Sequence, residues 1–76
     1  MEPLQQFTVA ARKTAPIDST LEVTKRALES VPHARVVSVD RHTGIVVIEL
    51  PGSEVERVRH ELGSDFMFDP NAGLRY

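Results

Sequence analysis

The sequence contains no cysteine. No disulfide can therefore compensate for its small size, and thiolate chemistry is excluded. Charge of neither sign dominates, with a formal net charge of −2 and the basic residues scattered along the chain. A nucleic-acid footprint needs a basic stripe or patch, so no nucleic-acid partner is expected. No apolar run approaches the ~20 residues of a membrane span, and no membrane partner is expected either. The start, Met1-Glu2-Pro3-Leu4-Gln5-Gln6, lacks the basic opening and apolar stretch of a signal peptide. The chain is then either cytoplasmic, with Met1 as its native start, or a piece of a longer precursor. Its 76 residues fit one domain, 1–76. A domain this small buries only about 60–65% of its unfolded surface, so its stability is marginal.

Catalytic constellations are also missing. His33, His42 and His60 have no ligand-like spacing, whereas a structural zinc site draws on closely spaced Cys and His pairs. They read as surface histidines, and neither metal nor cofactor is expected. There is no Gly-rich phosphate loop: Gly44, Gly52, Gly63 and Gly73 each suit a turn or a cap. Ser19 and Ser53 read as helix caps rather than nucleophiles. Glu54, Glu56 and Glu61 mix with Arg57, Arg59 and His60 as a solvated helix face. A paired-carboxylate site needs a cleft that so small a domain hardly offers, so no enzymatic activity is expected.

What is present is a clear alternation of short elements. Phe7 to Lys13 reads as a strand bounded by Pro16. Ser19-Thr20-Leu21-Glu22 has the form of a capping box. Leu21, Thr24, Leu28 and Val31 continue it as a helical stripe, with Ala27 beside them, up to Pro32. Arg35 to Val39 and Ile45 to Leu50 are rich in Val and Ile and read as strands. The polar segment Asp40-Arg41-His42-Thr43-Gly44 between them reads as a hairpin loop. Ser53-Glu54-Val55-Glu56 has the form of a second capping box. Val55, Val58 and Leu62 supply its helix with an apolar face, and Gly63 is the expected stop. Phe66-Met67-Phe68 is a last short strand before Pro70.

The order β-α-β-β-α-β is that of the split βαβ, or ferredoxin-like, arrangement. It predicts an α+β fold, a four-stranded antiparallel sheet with two helices on one face. The expected core comprises Phe7 or Val9, Val37, Val39, Val46, Ile48 and Leu50, facing Leu21, Leu28, Val31, Val55, Val58 and Leu62.

Open-face positions of such a sheet should be polar. Ile45-Val46-Val47-Ile48 breaks that rule. If Val46 and Ile48 face the helices, Ile45 and Val47 face outward, where Ala10 and Met67 can join them across the sheet. A contiguous exposed apolar patch marks a partner surface. RNA-binding domains of this topology stack bases on aromatics of the central strands, but Thr8-Val9-Ala10-Ala11 and Ile45-Val46-Val47-Ile48 carry none. A heavy-metal-binding domain of the same topology needs paired cysteines after its first strand, and Lys13-Thr14-Ala15-Pro16 has none.

Over nearly its whole length the chain resembles the prodomains of subtilisin-like serine proteases and the related stand-alone protease inhibitors. Phe7-Thr8-Val9-Ala10-Ala11-Arg12-Lys13 looks like that family's first strand, and the turn at Gly44 into Ile45-Val46-Val47-Ile48-Glu49-Leu50 like its central pair. A helix from Ser53 to Leu62 then leads, as in the family, to a strand and an extended tail, with Phe66-Met67-Phe68-Asp69-Pro70 standing where the family has an aromatic-Val-acidic-acidic stretch.

The resemblance implies a fold and a mode of action. The open sheet face, here Ala10, Ile45, Val47, Met67 and Asp69, would pack on two surface helices of the protease. The tail Asn71-Ala72-Gly73-Leu74-Arg75-Tyr76 would run antiparallel along the substrate cleft like a product, with Tyr76 in the primary specificity pocket. This is recognition by strand addition. Such domains serve as temporary inhibitors and as intramolecular folding chaperones, and a processed prodomain would be extracellular. Two positions depart from the family pattern. Phe68 and Pro70 replace residues that are commonly acidic, leaving helix capping to Asp69 alone. Gly73 offers no side chain to a subsite that often takes an apolar group. The alternative expectation is a small non-catalytic regulatory or assembly domain that self-associates through its sheet, for which the tail would be dispensable.

Overall fold

The computed structural model describes residues 3–71. Strand β1 (Leu4–Ala11) leads into helix α1 (Ile17–Leu28), strands β2 (Arg35–Asp40) and β3 (Ile45–Pro51), a 3-10 turn (Gly52–Glu54), helix α2 (Val55–Leu62) and strand β4 (Phe66–Pro70). The strands form one sheet in the order β2-β3-β1-β4, with every neighbouring pair antiparallel. This is the α+β, ferredoxin-like arrangement that the element order predicts. Neither helix is long and apolar enough to cross a membrane.

Strand alternation sorts the sheet into two faces. Phe7 and Val9 of β1, Val46, Ile48 and Leu50 of β3 and Phe68 of β4 are buried on one face, against Ala27, Leu28, Val31, Val58 and Leu62. Both Phe7 and Val9 belong to the core. The rings of Phe7 and Phe68 stack with centroids 4.8 Å apart. Each large apolar side chain buried this way contributes about 1.5–3 kcal/mol, a large share of the stability of so short a chain.

Strand β2 departs from the expected pattern. Strict alternation places Val37 with Val39 in the core, but Val37 is 38% exposed and Val36 packs against the core instead. The register explains the exchange. Val36 pairs with Ile48 and Ser38 with Val47, so Val37 is the extra residue of a β-bulge. Both Val36 and Val39 oppose core residues of β3, Ile48 and Val46, although they are three positions apart.

Helix α1 starts earlier than the expected capping box. Its N-cap is Pro16, whose carbonyl accepts the N–H groups of Ser19 and Thr20 at 3.0 and 3.4 Å. Extending the apolar period backward by one turn brings Ile17 onto the core side. Thr20 and Thr24 are buried in the same stripe, and the Thr24 hydroxyl donates to Thr20 O at 2.7 Å, which satisfies a buried donor. The helix also ends before Pro32 acts: Glu29 N–H donates to Arg26 O and Val31 N–H to Leu28 O, tightening the last turn as helix ends commonly do. For α2 the N-cap is Glu54 rather than Ser53, because a 3-10 turn precedes it. Gly63 follows it at a φ of 77°, which glycine adopts without steric cost.

Candidate functional site

The open face can be read row by row. Ile45 on β3 pairs with Ala10 on β1, and Ala10 with Met67 on β4. One step along, Val47 pairs with Thr8, and Thr8 with Asp69. The structure thus brings Ala10, Ile45, Val47, Met67 and Asp69 onto one surface, in two adjacent rows. Ala10, Ile45 and Val47 are half-buried by their neighbours, while Met67 is 40% exposed. The patch has polar margins. Asp69 is exposed on the β4 side, and the Thr8 hydroxyl donates to its backbone carbonyl at 3.4 Å. Beyond Val47, Glu49 pairs with Arg35, whose Nε lies 3.0 Å from the carboxylate. An apolar centre with a polar rim is the anatomy of a docking surface.

The loop beside the patch is held by its own chemistry. Asp40 Oδ1 accepts the N–H groups of His42 and Thr43 at 2.9 and 3.3 Å, and Gly44 N–H donates to Asp40 O at 2.9 Å. Hydrogen bonds from Thr43, then from His42, hold the Asp40 carboxyl below its ordinary pKa. Gly44 closes the loop at a φ of 74°, a conformation that disfavours any residue with a Cβ. Arg41 reaches Asp18 on α1 at 3.0 Å and ties the loop to the helix layer.

The outer edge of β4 is a different kind of surface. Arg12 N–H donates to Asp65 O and Asn71 N–H to Gln6 O, both at 3.0 Å. Hydrogen-bonded pairs alternate along an antiparallel ladder, so Phe66, Phe68 and Pro70 direct their backbone polar groups outward. Pro70 has no N–H to offer. Phe68 O accepts Arg59 Nη1 at 3.4 Å, and the Arg59 guanidinium lies 5.1 Å from the Phe68 ring centroid. An open groove of about 860 Å³ runs beside this edge, lined in part by Arg12, Arg59, His60 and Phe66. Arg12 Nε is already engaged with Ser64 O at 2.8 Å. A bulge on β2 and an Arg–Pro pair on β4 are both devices that discourage strand addition at an edge.

Asn71 follows β4 directly and is held to β1 by two hydrogen bonds from itself to Gln6. The other expected cleft residues, Ala72, Gly73, Leu74, Arg75 and Tyr76, lie outside the described residues. Gln6 lies ahead of the strand start expected at Phe7, since β1 begins at Leu4. The signal was present: Gln6, Thr8 and Ala10 share one parity, so extending the strand backward places Gln6 on the open face. Among the described residues no group of three His, Asp or Glu converges in a way that could hold a metal ion.

No family model, curated protein or solved structure matches the chain.

Proposed function

We propose that the chain is a non-catalytic binding domain of the subtilisin-prodomain kind, which inhibits a subtilisin-like serine protease and assists its folding. The observation that carries this reading is the contiguous apolar patch of Ala10, Ile45, Val47 and Met67 on the face that no helix covers. Burying that patch against a partner removes apolar surface from water, at about 25 cal/mol per Å². Both sheet edges carry obstacles to pairing, so the face is the better docking surface.

In this reading the face docks on helices of the protease, and Asp69 meets a helix N-terminus, where a carboxylate is favoured. From Met67 to Asn71 the strand runs about 14 Å, at ~3.4 Å per residue. The tail that follows enters the substrate cleft, with Leu74, Arg75 and Tyr76 deepest. All bond chemistry belongs to the protease. The domain contributes shape, main-chain hydrogen bonds and a poor product that leaves slowly.

Removing Leu74, Arg75 and Tyr76 tests the proposal. The inhibition constant toward a subtilisin is expected to rise by several orders of magnitude, with the fold unchanged by circular dichroism. An intact chain without inhibition refutes it. A tight homodimer by sedimentation, unaffected by tail removal, supports self-association through the same face instead.

A further inference from the structure

Gln6 and Asn71 meet at the end of the β1–β4 ladder, one step beyond the pairing of Phe7 with Pro70. Asn71 N–H donates to Gln6 O at 3.0 Å. Asn71 Nδ2 donates to Gln6 Oε1 at 3.2 Å. Backbone and side chain thus tie the same residue to the same partner. Asn71 Oδ1 is buried and has no hydrogen-bond partner among the described residues. Turning this amide over by itself would set its oxygen against Gln6 Oε1, two acceptors with no proton between them. On its other side Gln6 stands opposite Glu49, itself paired with Arg35. A polar row, Arg35–Glu49–Gln6–Asn71, therefore crosses the whole sheet where the tail departs.

We infer that the Gln6–Asn71 pair is a positioning clamp that fixes where the tail leaves the sheet. This inference rests on the inhibitory reading of the tail. In that reading Tyr76 sits in the cleft, five positions on from Asn71, and so lies at most about 18 Å from it at ~3.3–3.6 Å per residue. So short a tether reaches a cleft only from a fixed origin. Its effective concentration at the cleft falls as the origin gains freedom. Gln6 acts on the tail through Asn71, apart from any contact it makes on the docking face.

The test compares the whole chain with a chain ending at Asn71, each with Gln6 and with Gln6→Ala. Affinity for a subtilisin is read by inhibition and by calorimetric titration, and folding by thermal melting. Gln6→Ala is expected to weaken the whole chain about 2- to 12-fold, the equilibrium factor for one side-chain hydrogen bond, since the backbone bond from Asn71 to Gln6 O is kept. In the shortened chain the loss should be several-fold smaller, because any contact that Gln6 makes on the docking face is common to both chains and only the tail's share disappears. Asn71→Ala should weaken the whole chain equally, and the double variant no further. Unchanged inhibition by Gln6→Ala overturns the clamp and leaves the inhibitor reading intact. Equal weakening of whole and shortened chains also overturns the clamp, because the role is then only structural. An unsubstituted chain that does not inhibit overturns both. If Gln6→Ala does not fold, Asn71→Ala carries the same comparison.

Discussion

Met67→Lys separates docking from folding better than any other single change on the open face. Met67 sits on the edge strand β4 and is 40% exposed, so the folded domain places few demands on it. Asp69 lies two positions on along the same face, where it can balance an added ammonium. The free domain should therefore keep its stability within about 0.5 kcal/mol, the usual range for surface substitutions. The complex is another matter. Full burial of a methionine is worth about 1.5–3 kcal/mol, and docking can claim the two-fifths still exposed, about 0.6–1.2 kcal/mol. Lysine forfeits that contribution and adds the cost of desolvating a charge whose neighbour Asp69 is engaged by the partner in the proposed complex, a further 1–3 kcal/mol or so at a partly wet interface. The sum, about 2–4 kcal/mol, corresponds to a rise of roughly 30- to 1,000-fold in the inhibition constant. Met67→Ala removes only the apolar share and should raise it about 3- to 8-fold. Steady-state inhibition of a subtilisin, beside melting curves of the free variants, reads both quantities. Wild-type inhibition by Met67→Lys, at unchanged stability, would mean that the face does not dock.

If the tail binds as proposed, replacing Gly73 by leucine should lower the inhibition constant several-fold by offering an apolar side chain to the subsite there; weaker inhibition would refute that placement. Asp40→Ala should lower the melting temperature at neutral pH by removing the acceptor of the His42 and Thr43 N–H groups. Hydrogen bonds from Thr43 and His42 depress the folded-state pKa of Asp40 below its ordinary value, so its stabilisation is fully present above the unfolded pKa and is lost as the pH falls through the folded pKa. The gap between wild type and variant should accordingly close on acidification, and a constant gap would refute the assignment. Val36→Ala should cost about 1–2 kcal/mol in a urea titration, whereas Val37→Ala should fall within about 0.5 kcal/mol; the reverse order would refute the bulge.

Element type was legible because each segment's local pattern agrees with its place in the fold. β-branched runs on either side of Gly44 specify the hairpin, and Val55, Val58 and Leu62 at helical spacing specify α2. The open-face set was legible for a simpler reason. Residue parity along β1, β3 and β4 is unbroken, so Ala10, Ile45, Val47 and Met67 could be assigned to one face by alternation alone. Parity failed only on β2, where the bulge at Val37 inserts one residue. Nothing in Arg35-Val36-Val37-Ser38-Val39 distinguishes a bulged from a regular strand, because three valines satisfy either register. Helix starts failed for a related reason. Ser19 and Glu22 satisfy the spacing of a capping box, but burial of Ile17 begins α1 one turn earlier, and tertiary packing outweighs a cap worth about 1 kcal/mol.

The distribution of obstacles around the sheet narrows where a partner can bind. β2 is bulged, and Arg59 and Pro70 stand on the outward side of β4. Such obstacles are what keeps an edge from recruiting another strand. Among the described residues no comparable device protects the face: charged residues that would blunt it stand at its margins, at Asp69, at the Glu49–Arg35 pair and at Asp40 opposite Ile45. A face with no partner would gain from lysine or glutamate in place of Ile45 and Val47, since neither side chain reaches the core cluster. A central strand does favour β-branched residues, but threonine would serve that preference without exposing apolar surface. Valine and isoleucine at these two positions are therefore better explained by a surface that is covered when the domain works.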